Sequence, residues 1–277
     1  NYEQVYFHSI GSTKGLPKDI KVHLLLAAID VTVKKLPNDI ADKAFNDPAV
    51  IGRYEKALDY LFSKIPDEQL EALSLGNEID QYLNQHPSEW QQYQMFYEAV
   101  VKYAKAKKPN LKVGVTVTFK GLTQTAKSNY QMLNKNSDVI MVTYYPVNDD
   151  FSVQDPSVVH RDFDTLLPLY PNTPIYVTEI GYPTSNLLKS TEEKQKQFII
   201  EAFKMWDKNP NRIHYMGFFN LHDWSKKTTD EFTKYYGFGS GSQYFSAFLG
   251  TLGLRHSDGT DKPGFKQFVV EAQARGW

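Results

Sequence analysis

The chain has 277 residues, of which 41% are hydrophobic and 23% are charged, as in an average globular protein. Its formal net charge is −1 at pH 7, so it presents no positive field to a polyanion, and nucleic acid is not an expected partner. The absence of cysteine excludes disulfides, thiolate catalysis and cysteine-ligated zinc.

Location and ligand class are only weakly indicated by the remaining composition. No apolar run approaches the roughly 18 residues that cross a bilayer, so no membrane span is expected. The first residue is Asn1 rather than Met, which fits a mature secreted, periplasmic or cell-surface protein or a trimmed chain; a cytoplasmic location stays open. The 18 Tyr and 17 Phe suit a sugar-binding cleft, although a Tyr-rich surface and core explains them equally well. Nothing indicates an oligomeric state.

From residue 20 the sequence alternates short β-rich runs with longer helical patterns, which predicts an α/β fold with a parallel sheet. Strands are predicted at 21–29, 71–77, 112–119, 138–145, 174–179 and 213–221. Helices are predicted at 49–64, 87–107, 123–134, 156–169, 191–208, 228–236, 242–252 and 263–275. Helix start signals stand before the first and fifth of these helices, and no linker or repeat interrupts the pattern, so residues 1–277 are predicted to form one domain.

The expected architecture is a (β/α)8 (TIM) barrel, but the strand count falls short. A closed barrel of this type needs eight strands, and only six are clear. The first 20 residues have room for a short strand at 5–10, but not for two strands with their helices. We therefore expect an upstream segment of about 50 residues to supply the first one or two strands, or the barrel to be open or completed by a partner, because bare sheet edges are normally covered.

Two predicted strands end in a glutamate. Glu78 follows the run Ala-Leu-Ser-Leu-Gly-Asn, and Glu179 follows Ile-Tyr-Val-Thr. Because parallel strands end at the same rim of a barrel, both acids are expected there, above a packed interior. Two carboxylates at the same rim are the minimum set of catalytic groups for hydrolysing a glycosidic bond. A solvated loop charge is the alternative for either residue alone, but the shared context favours a catalytic pair.

The two motifs resemble those of a known enzyme group. Gly-Asn-Glu at 76–78 and Thr-Glu-Ile-Gly-Tyr-Pro at 178–183 are similar to the acid/base and nucleophile motifs of clan A retaining glycoside hydrolases, on their fourth and seventh strands. The motif sequences are most similar to those of endo-β-1,4-galactanases and β-1,3-glucanases. The resemblance covers roughly residues 20–224 and implies that Glu78 is the general acid/base, that Glu179 is the nucleophile and that Asn77 donates to the sugar 2-hydroxyl. It implies no metal or organic cofactor.

Further candidate substrate-binding residues lie at other strand ends. Tyr144 and Tyr145 are both candidates at the end of one predicted strand. The resemblance implies a tyrosine there that donates to the nucleophile, and Tyr145, which precedes Pro146, is expected to do so, with core packing as the alternative. After the last predicted strand, His222 and Trp224 are candidates, Trp224 as a sugar platform or as ordinary packing. Asp30 either binds a sugar hydroxyl or caps the following segment.

Other catalytic classes are less well supported. The seven histidines show no His-x-x-x-His or Glu-x-x-His spacing on a helix, so no metal site is expected. The run at 237–241 does not match the Gly-x-Ser-x-Gly motif of serine hydrolases. The prediction is therefore a retaining β-glycoside hydrolase that cleaves a poly- or oligosaccharide by double displacement. A non-catalytic carbohydrate-binding or degenerate barrel is the alternative, and the sugar, its linkage and endo or exo action stay open.

Overall fold

The computed structural model describes residues 17, 19–124, 126–239 and 242–276. The strands of this part are β1 Val22–Leu25, β2 Ile29–Asp30, β3 Val33–Lys34, β4 Leu70–Ser74, β5 Lys112–Gly114, β6 Thr116–Thr118, β7 Ile140–Tyr144, β8 Ile175–Ile180 and β9 Ile213–Phe218. The α-helices are α1 Pro48–Phe62, α2 Ile79–Leu83, α3 Trp90–Lys107, α4 Phe119–Thr123, α5 Lys127–Leu133, α6 Val158–Leu166, α7 Glu192–Lys208, α8 Lys226–Tyr235, α9 Gln243–Gly250 and α10 Pro263–Ala274. Single turns of 3-10 helix occupy Asn38–Ile40, Pro87–Glu89, Asn134–Asn136, Leu167–Leu169 and Asn186–Leu188.

The described residues divide into two compact units, the first within 1–117 and 126–141 and the second within 118–125 and 142–277. The first unit contains a three-stranded parallel sheet in the order β1-β4-β5 and the antiparallel hairpin β2-β3. Helix α1 begins where expected, because the Asp47 carboxylate accepts from the Ala49 N–H at 2.7 Å and Pro48 follows at the first helical position. Tyr54 of α1 packs edge-on against Phe96 of α3, with ring centroids 4.8 Å apart.

The second unit is built around β8, which lies between β7 and β9 and pairs in parallel with β9. Helix α7 begins at its predicted cap, where Thr191 accepts from the Lys194 N–H at 3.2 Å. Phe203 of α7 is fully buried and contacts Phe268 of α10, with ring centroids 5.8 Å apart. Burying a side chain of this size contributes about 1.5–3 kcal/mol, so such contacts are what hold the helices on the sheet.

The predicted α/β class with parallel strands is confirmed, and several boundaries are corrected. The predicted strand at 112–119 forms two strands separated by Val115, and the one at 21–29 ends as β1 before the unpredicted hairpin. Helices α2 and α4, with five residues each, are too short to show a periodic pattern and were not predicted. Among the described residues, no helix is both long and apolar enough to span a membrane.

Some expectations stay predictions. The strand expected at 5–10 lies outside the described residues. The upstream segment, the single domain and the closed eight-stranded barrel are likewise neither confirmed nor contradicted by the strands of the two units.

Candidate active site: the Glu78 and Glu179 sites

The Glu78 site comprises Asp30, Asn77 and Glu78, all in the first unit. Beyond the end of β4 the chain pairs with β2: the Asn77 N–H donates to the Ile29 carbonyl at 2.9 Å, and the Val31 N–H donates to the Asn77 carbonyl at 2.8 Å. This pairing places Asp30 directly beside Asn77. The hairpin that the sequence did not predict is therefore what brings Asp30 to this site.

Polar side chains connect the members of this site. The Asn77 amide donates to the Asp30 carboxylate at 3.2 Å, and the Lys35 ammonium lies 3.3 Å from the other Asp30 oxygen. Asp30 does not cap the next helical segment, because the turn at Asn38–Ile40 begins after Pro37 without a side-chain cap. An amide NH2 has two donors, so Asn77 still has one N–H for a ligand after its bond to Asp30.

The peptide groups that lead into this site are fixed by buried side chains. The Tyr93 hydroxyl donates to the Leu75 carbonyl at 2.6 Å, and the Ser74 hydroxyl donates to the Gly76 carbonyl at 2.8 Å. A Cβ on Gly76 would lie 2.7 Å from the Tyr93 hydroxyl oxygen, so only glycine fits beneath that contact. The backbone before Asn77 thus has little freedom to move.

Glu78 itself has an uncommon backbone conformation. Its φ of 44° and ψ of 47° lie in the left-handed region, and it immediately precedes α2. Val31, whose N–H binds the neighbouring Asn77 carbonyl, has a φ of 55° despite its branched side chain. Such residues cost about 1–3 kcal/mol each and cluster at functional sites, where the surrounding contacts impose them. The strain therefore marks this strand end as a candidate site.

The Glu179 site comprises Tyr145, Glu179 and Gly181 and lies in the second unit. The Tyr145 hydroxyl donates to a Glu179 carboxylate oxygen at 2.6 Å, so the hydrogen bond predicted from the sequence is confirmed. Tyr144 faces the core instead: it is 1% exposed, and its hydroxyl donates to Asp162 at 2.9 Å. Burial raises the pKa of Tyr144. Its position does not support the predicted substrate contact, because neighbouring residues of a strand point to opposite faces.

A bulge in β8 lies at the position of Glu179. Val177 lies opposite Met216, whereas Ile180 lies opposite Phe218, so three steps along β8 match two steps along β9. The extra residue falls within 178–179. Bulges re-aim side chains and are common beside active sites. The simple alternation assumed from the sequence is therefore interrupted at the predicted nucleophile.

Gly181 leaves room for the Tyr145 ring because it has no side chain. A Cβ on Gly181 would lie 3.0 Å from a ring carbon of Tyr145 and 3.0 Å from a methyl carbon of Leu252. The absence of a side chain lets the tyrosine ring lie against the backbone that follows Glu179. The glycine of the Thr-Glu-Ile-Gly-Tyr-Pro motif thus has a steric role in this site.

Aromatic rings extend from the Glu179 site to Trp224. The Phe219 ring lies edge-on to Tyr145, with centroids 6.2 Å apart, and edge-on to Trp224 at 5.7 Å. Trp224 is half-buried and stacks on Phe232 at 4.8 Å, so part of its surface is used in packing. His222 is exposed on the same loop. Phe219 was not singled out from the sequence, although it stands in the same aromatic run as Trp224.

The chemistry available at the two sites is that of carboxylates held among hydrogen-bond donors. The short bond from Tyr145 stabilises the charged form of Glu179, as a nucleophilic carboxylate requires. Among the described residues, no group of three or more potential metal-ligating side chains occurs.

Among the comparisons with known proteins, only the one with solved structures found matches. No family model matches the sequence, and no curated protein matches it. The structure is similar to a Bifidobacterium dentium β-glucuronidase complexed with coumarin-3-O-glucuronide, with a TM-score of 0.59 and 15% identity over 84% of this chain and 34% of that chain. It is similar to a Dictyoglomus thermophilum β-D-glucuronidase, with a TM-score of 0.56 and 17% identity over 86% of this chain and 39% of that chain.

A third similar structure is an active-site mutant of a Rhizomucor miehei β-1,3-glucanosyltransferase in complex with laminaritriose, with a TM-score of 0.54 and 15% identity over 79% of this chain and 72% of that chain. The chain spans only about a third of the length of the first β-glucuronidase. At these identities the likeness shows a shared fold. The chain therefore has the fold found in these carbohydrate-active enzymes.

Proposed function

We propose that the protein is a retaining β-glycoside hydrolase with a clan A (β/α)8 barrel. The observation that supports this most directly is the 2.6 Å hydrogen bond from Tyr145 to Glu179 at the carboxyl end of β8. The bulge at 178–179 supports the same assignment, because bulges are common beside active sites. The strained conformation of Glu78 at another strand end supports its assignment as the second acid.

In the proposed reaction, the Glu179 carboxylate attacks the anomeric carbon while Glu78 gives its proton to the leaving glycosidic oxygen. The bond to the leaving sugar breaks as the bond to Glu179 forms, which leaves a glycosyl ester on Glu179. Glu78, now ionised, takes a proton from water, and the water oxygen displaces Glu179 to release the sugar. Two inversions give net retention at the anomeric carbon.

The neighbouring polar groups have defined roles in this scheme. Tyr145 keeps the Glu179 carboxylate charged and oriented before attack. The free Asn77 N–H is the donor for the sugar 2-hydroxyl, and Asp30 keeps the Asn77 amide in place at 3.2 Å. The substrate class is a β-linked poly- or oligosaccharide, a proposal that the β-glucuronidase and β-1,3-glucanosyltransferase neighbours support through their fold.

The test is hydrolysis of a panel of aryl β-glycosides, including the glucuronide, glucoside and galactoside, together with β-1,3-glucan and β-1,4-galactan. For any substrate that is cleaved, proton NMR at early times should show the β-anomer first, as retention requires. A 2-fluoro derivative of that substrate should add one glycosyl unit to the protein, and peptide mapping should place it on Glu179.

Two outcomes would contradict the proposal. Early formation of the α-anomer would show inversion and remove the covalent role of Glu179. Binding of a glycan in the panel without any cleavage would favour the non-catalytic carbohydrate-binding alternative.

A further inference from the structure

Lys262 is a buried charge that the proposed reaction does not use. It is 1% exposed and immediately precedes α10. Lysine is almost never fully buried unless it is paired, because removing an ammonium from water is costly. A lysine in this position therefore requires a specific set of partners.

The Lys262 ammonium has three partners on three separate segments. It donates to the Asp223 carboxylate at 2.7 Å, to the Thr184 hydroxyl at 3.2 Å and to the Thr251 carbonyl at 3.3 Å. An ammonium has three N–H donors, so these contacts satisfy it completely. Burial raises the pKa of Asp223, and the neighbouring Lys262 ammonium opposes that shift.

Two of these partners belong to the loops that follow β8 and β9. Thr184 lies five residues after Glu179, and Asp223 immediately precedes Trp224. The third segment joins them further, because the Thr251 hydroxyl accepts from the Thr184 N–H at 3.1 Å. The ammonium thus lies where the loop after the predicted nucleophile meets the loop that carries Trp224.

The Asp223 backbone is also held closely. Its N–H donates to the Arg255 carbonyl at 2.9 Å, and a Cβ on Gly253 would lie within 2.2 Å of the Asp223 nitrogen. Asp223 therefore has both its main chain and its side chain fixed, directly before Trp224. Little freedom is left to the start of the segment that places the tryptophan ring.

We propose that Lys262 is a positioning residue that fixes Trp224 relative to Glu179, so that Trp224 forms a wall for a sugar bound at the Glu179 site. This inference rests on the proposed function. A buried ion pair adds little net stability over apolar residues of the same size, but its directional bonds select one arrangement of the loops. A wall that contacts the sugar equally before and during reaction lowers KM without changing kcat.

The test compares Lys262→Met, the double variant Asp223→Leu with Lys262→Met, and Lys266→Met as an exposed control on α10, the helix that follows Lys262. The single variant takes the lysine partner from the Asp223 carboxylate and is expected to destabilise the fold. The double variant removes both charges and keeps apolar volume. Proteins labelled with 5-fluorotryptophan are examined by fluorine NMR, and Trp224→Phe assigns the Trp224 resonance. Kinetics use the aryl β-glycoside that the wild-type protein cleaves fastest.

The expected result for the double variant is a shifted or broadened Trp224 resonance with the Trp90 and Trp206 resonances unchanged. KM should rise about tenfold or more with kcat nearly constant, since small displacements of binding groups have effects of this size. Lys266→Met should match the wild type in both measurements.

An unchanged Trp224 resonance and KM in the double variant would overturn the inference. So would a fall in kcat at constant KM, or the same changes in Lys266→Met. If the wild-type protein cleaves no glycoside, the proposed function fails by itself. The fluorine spectra then still decide whether Lys262 fixes Trp224, with an unchanged resonance counting against it.

Discussion

The Glu78 site and the Glu179 site are held in different ways by the residues around them. Before Glu78, buried hydroxyls fix the Leu75 and Gly76 carbonyls, and β2 pairs with Asn77. At Glu179 the contact is on the carboxylate itself, through the Tyr145 hydroxyl at 2.6 Å. The bond from Tyr145 suits the proposed role of Glu179, because a nucleophile must stay charged and oriented.

The residues that make up the surroundings of the two sites differ as well. Asp30 and Lys35 give the Glu78 site a polar surrounding, and their ion pair, with the lysine side chain 36% exposed, is weakened by solvent. The Glu179 site has aromatic neighbours, Tyr145 and Phe219, which offer flat apolar faces. We infer that sugar stacking is concentrated at the Glu179 site and hydrogen bonding to hydroxyls at the Glu78 site.

The largest effects are expected from removing the carboxylates. Glu179→Ala should abolish turnover, and Glu78→Ala should lower it by about 10²–10⁴-fold, the usual contribution of a general acid. Azide should restore reaction in Glu179→Ala and give a product of opposite anomeric configuration, since it replaces the nucleophile. Rates and product configuration are measured on an activated aryl glycoside.

The control for this pair is Glu71→Ala. Glu71 lies in the same strand as the run that leads to Glu78 but pairs with Lys112 at 2.6 Å, so its loss should leave turnover unchanged. Full activity in either Glu78→Ala or Glu179→Ala would end the assignment of two catalytic glutamates.

The next largest effect is expected on the pH dependence of the reaction, through the hydrogen bond at the Glu179 site. Tyr145→Phe removes the donor that favours the charged Glu179 carboxylate, so its protonation should occur at higher pH and the acidic limb of the rate profile should move upward. A hydrogen bond to a charged group is worth about 1.5–3 kcal/mol, which corresponds to a shift of about one to two pH units. The profile of kcat/KM against pH measures it.

Tyr144→Phe is the matched control for that substitution. Its hydroxyl bonds to buried Asp162, so the variant should lose thermal stability without moving the acidic limb. A shifted limb in Tyr144→Phe and an unmoved one in Tyr145→Phe would show that the assignment of the two strand faces is reversed.

Substitutions of Gly181 at the Glu179 site and Gly76 at the Glu78 site should have smaller and more local effects. Gly181→Ala places a methyl group about 3.0 Å from the Tyr145 ring, which should turn the ring and lower kcat with little loss of stability. Gly76→Ala meets the Tyr93 hydroxyl at 2.7 Å inside the first unit, so it should lower the melting temperature first. Melting curves and kcat are measured for both. A stability loss of equal size in the two variants would contradict the distinction.

Much of this comparison was predictable from the sequence, and the remainder depends on pairing across the fold. Strand alternation predicted that only one of Tyr144 and Tyr145 could reach Glu179, and the resemblance pointed to Tyr145 because it precedes a proline. The bulge at 178–179 was missed because register depends on the partner strand β9. The β2-β3 turn was missed because Val31, at a φ of 55°, is not a residue that signals a turn. Lys262 was missed because its partner Asp223 is 39 residues away in the chain.

The smallest expected effect is on the stability of two sheets, the sheet β1-β4-β5 that leads to the Glu78 site and the sheet that contains β8 and β9. His23 of β1 is partly buried, and burial lowers its pKa from the ordinary value of 6.5. The unfolded chain therefore binds a proton more readily than the folded chain once the pH falls below about 6.5, so the stability of this sheet should decline from there down to the folded-state pKa. For one proton the opening equilibrium changes at most about tenfold per pH unit. His214 of β9 is exposed and is the comparison position in the other sheet.

Hydrogen exchange followed by mass spectrometry at about pH 7.5 and about pH 5.5, corrected for intrinsic rates, measures this difference in peptides that cover β1 and β9. The β1 peptide should lose more protection at the lower pH than the β9 peptide. His23→Gln should remove that loss, because glutamine does not titrate, whereas His214→Gln should leave it in place. Equal loss of protection in both peptides, or a β1 loss that persists in His23→Gln, would show that the acid response of the sheet β1-β4-β5 has another origin.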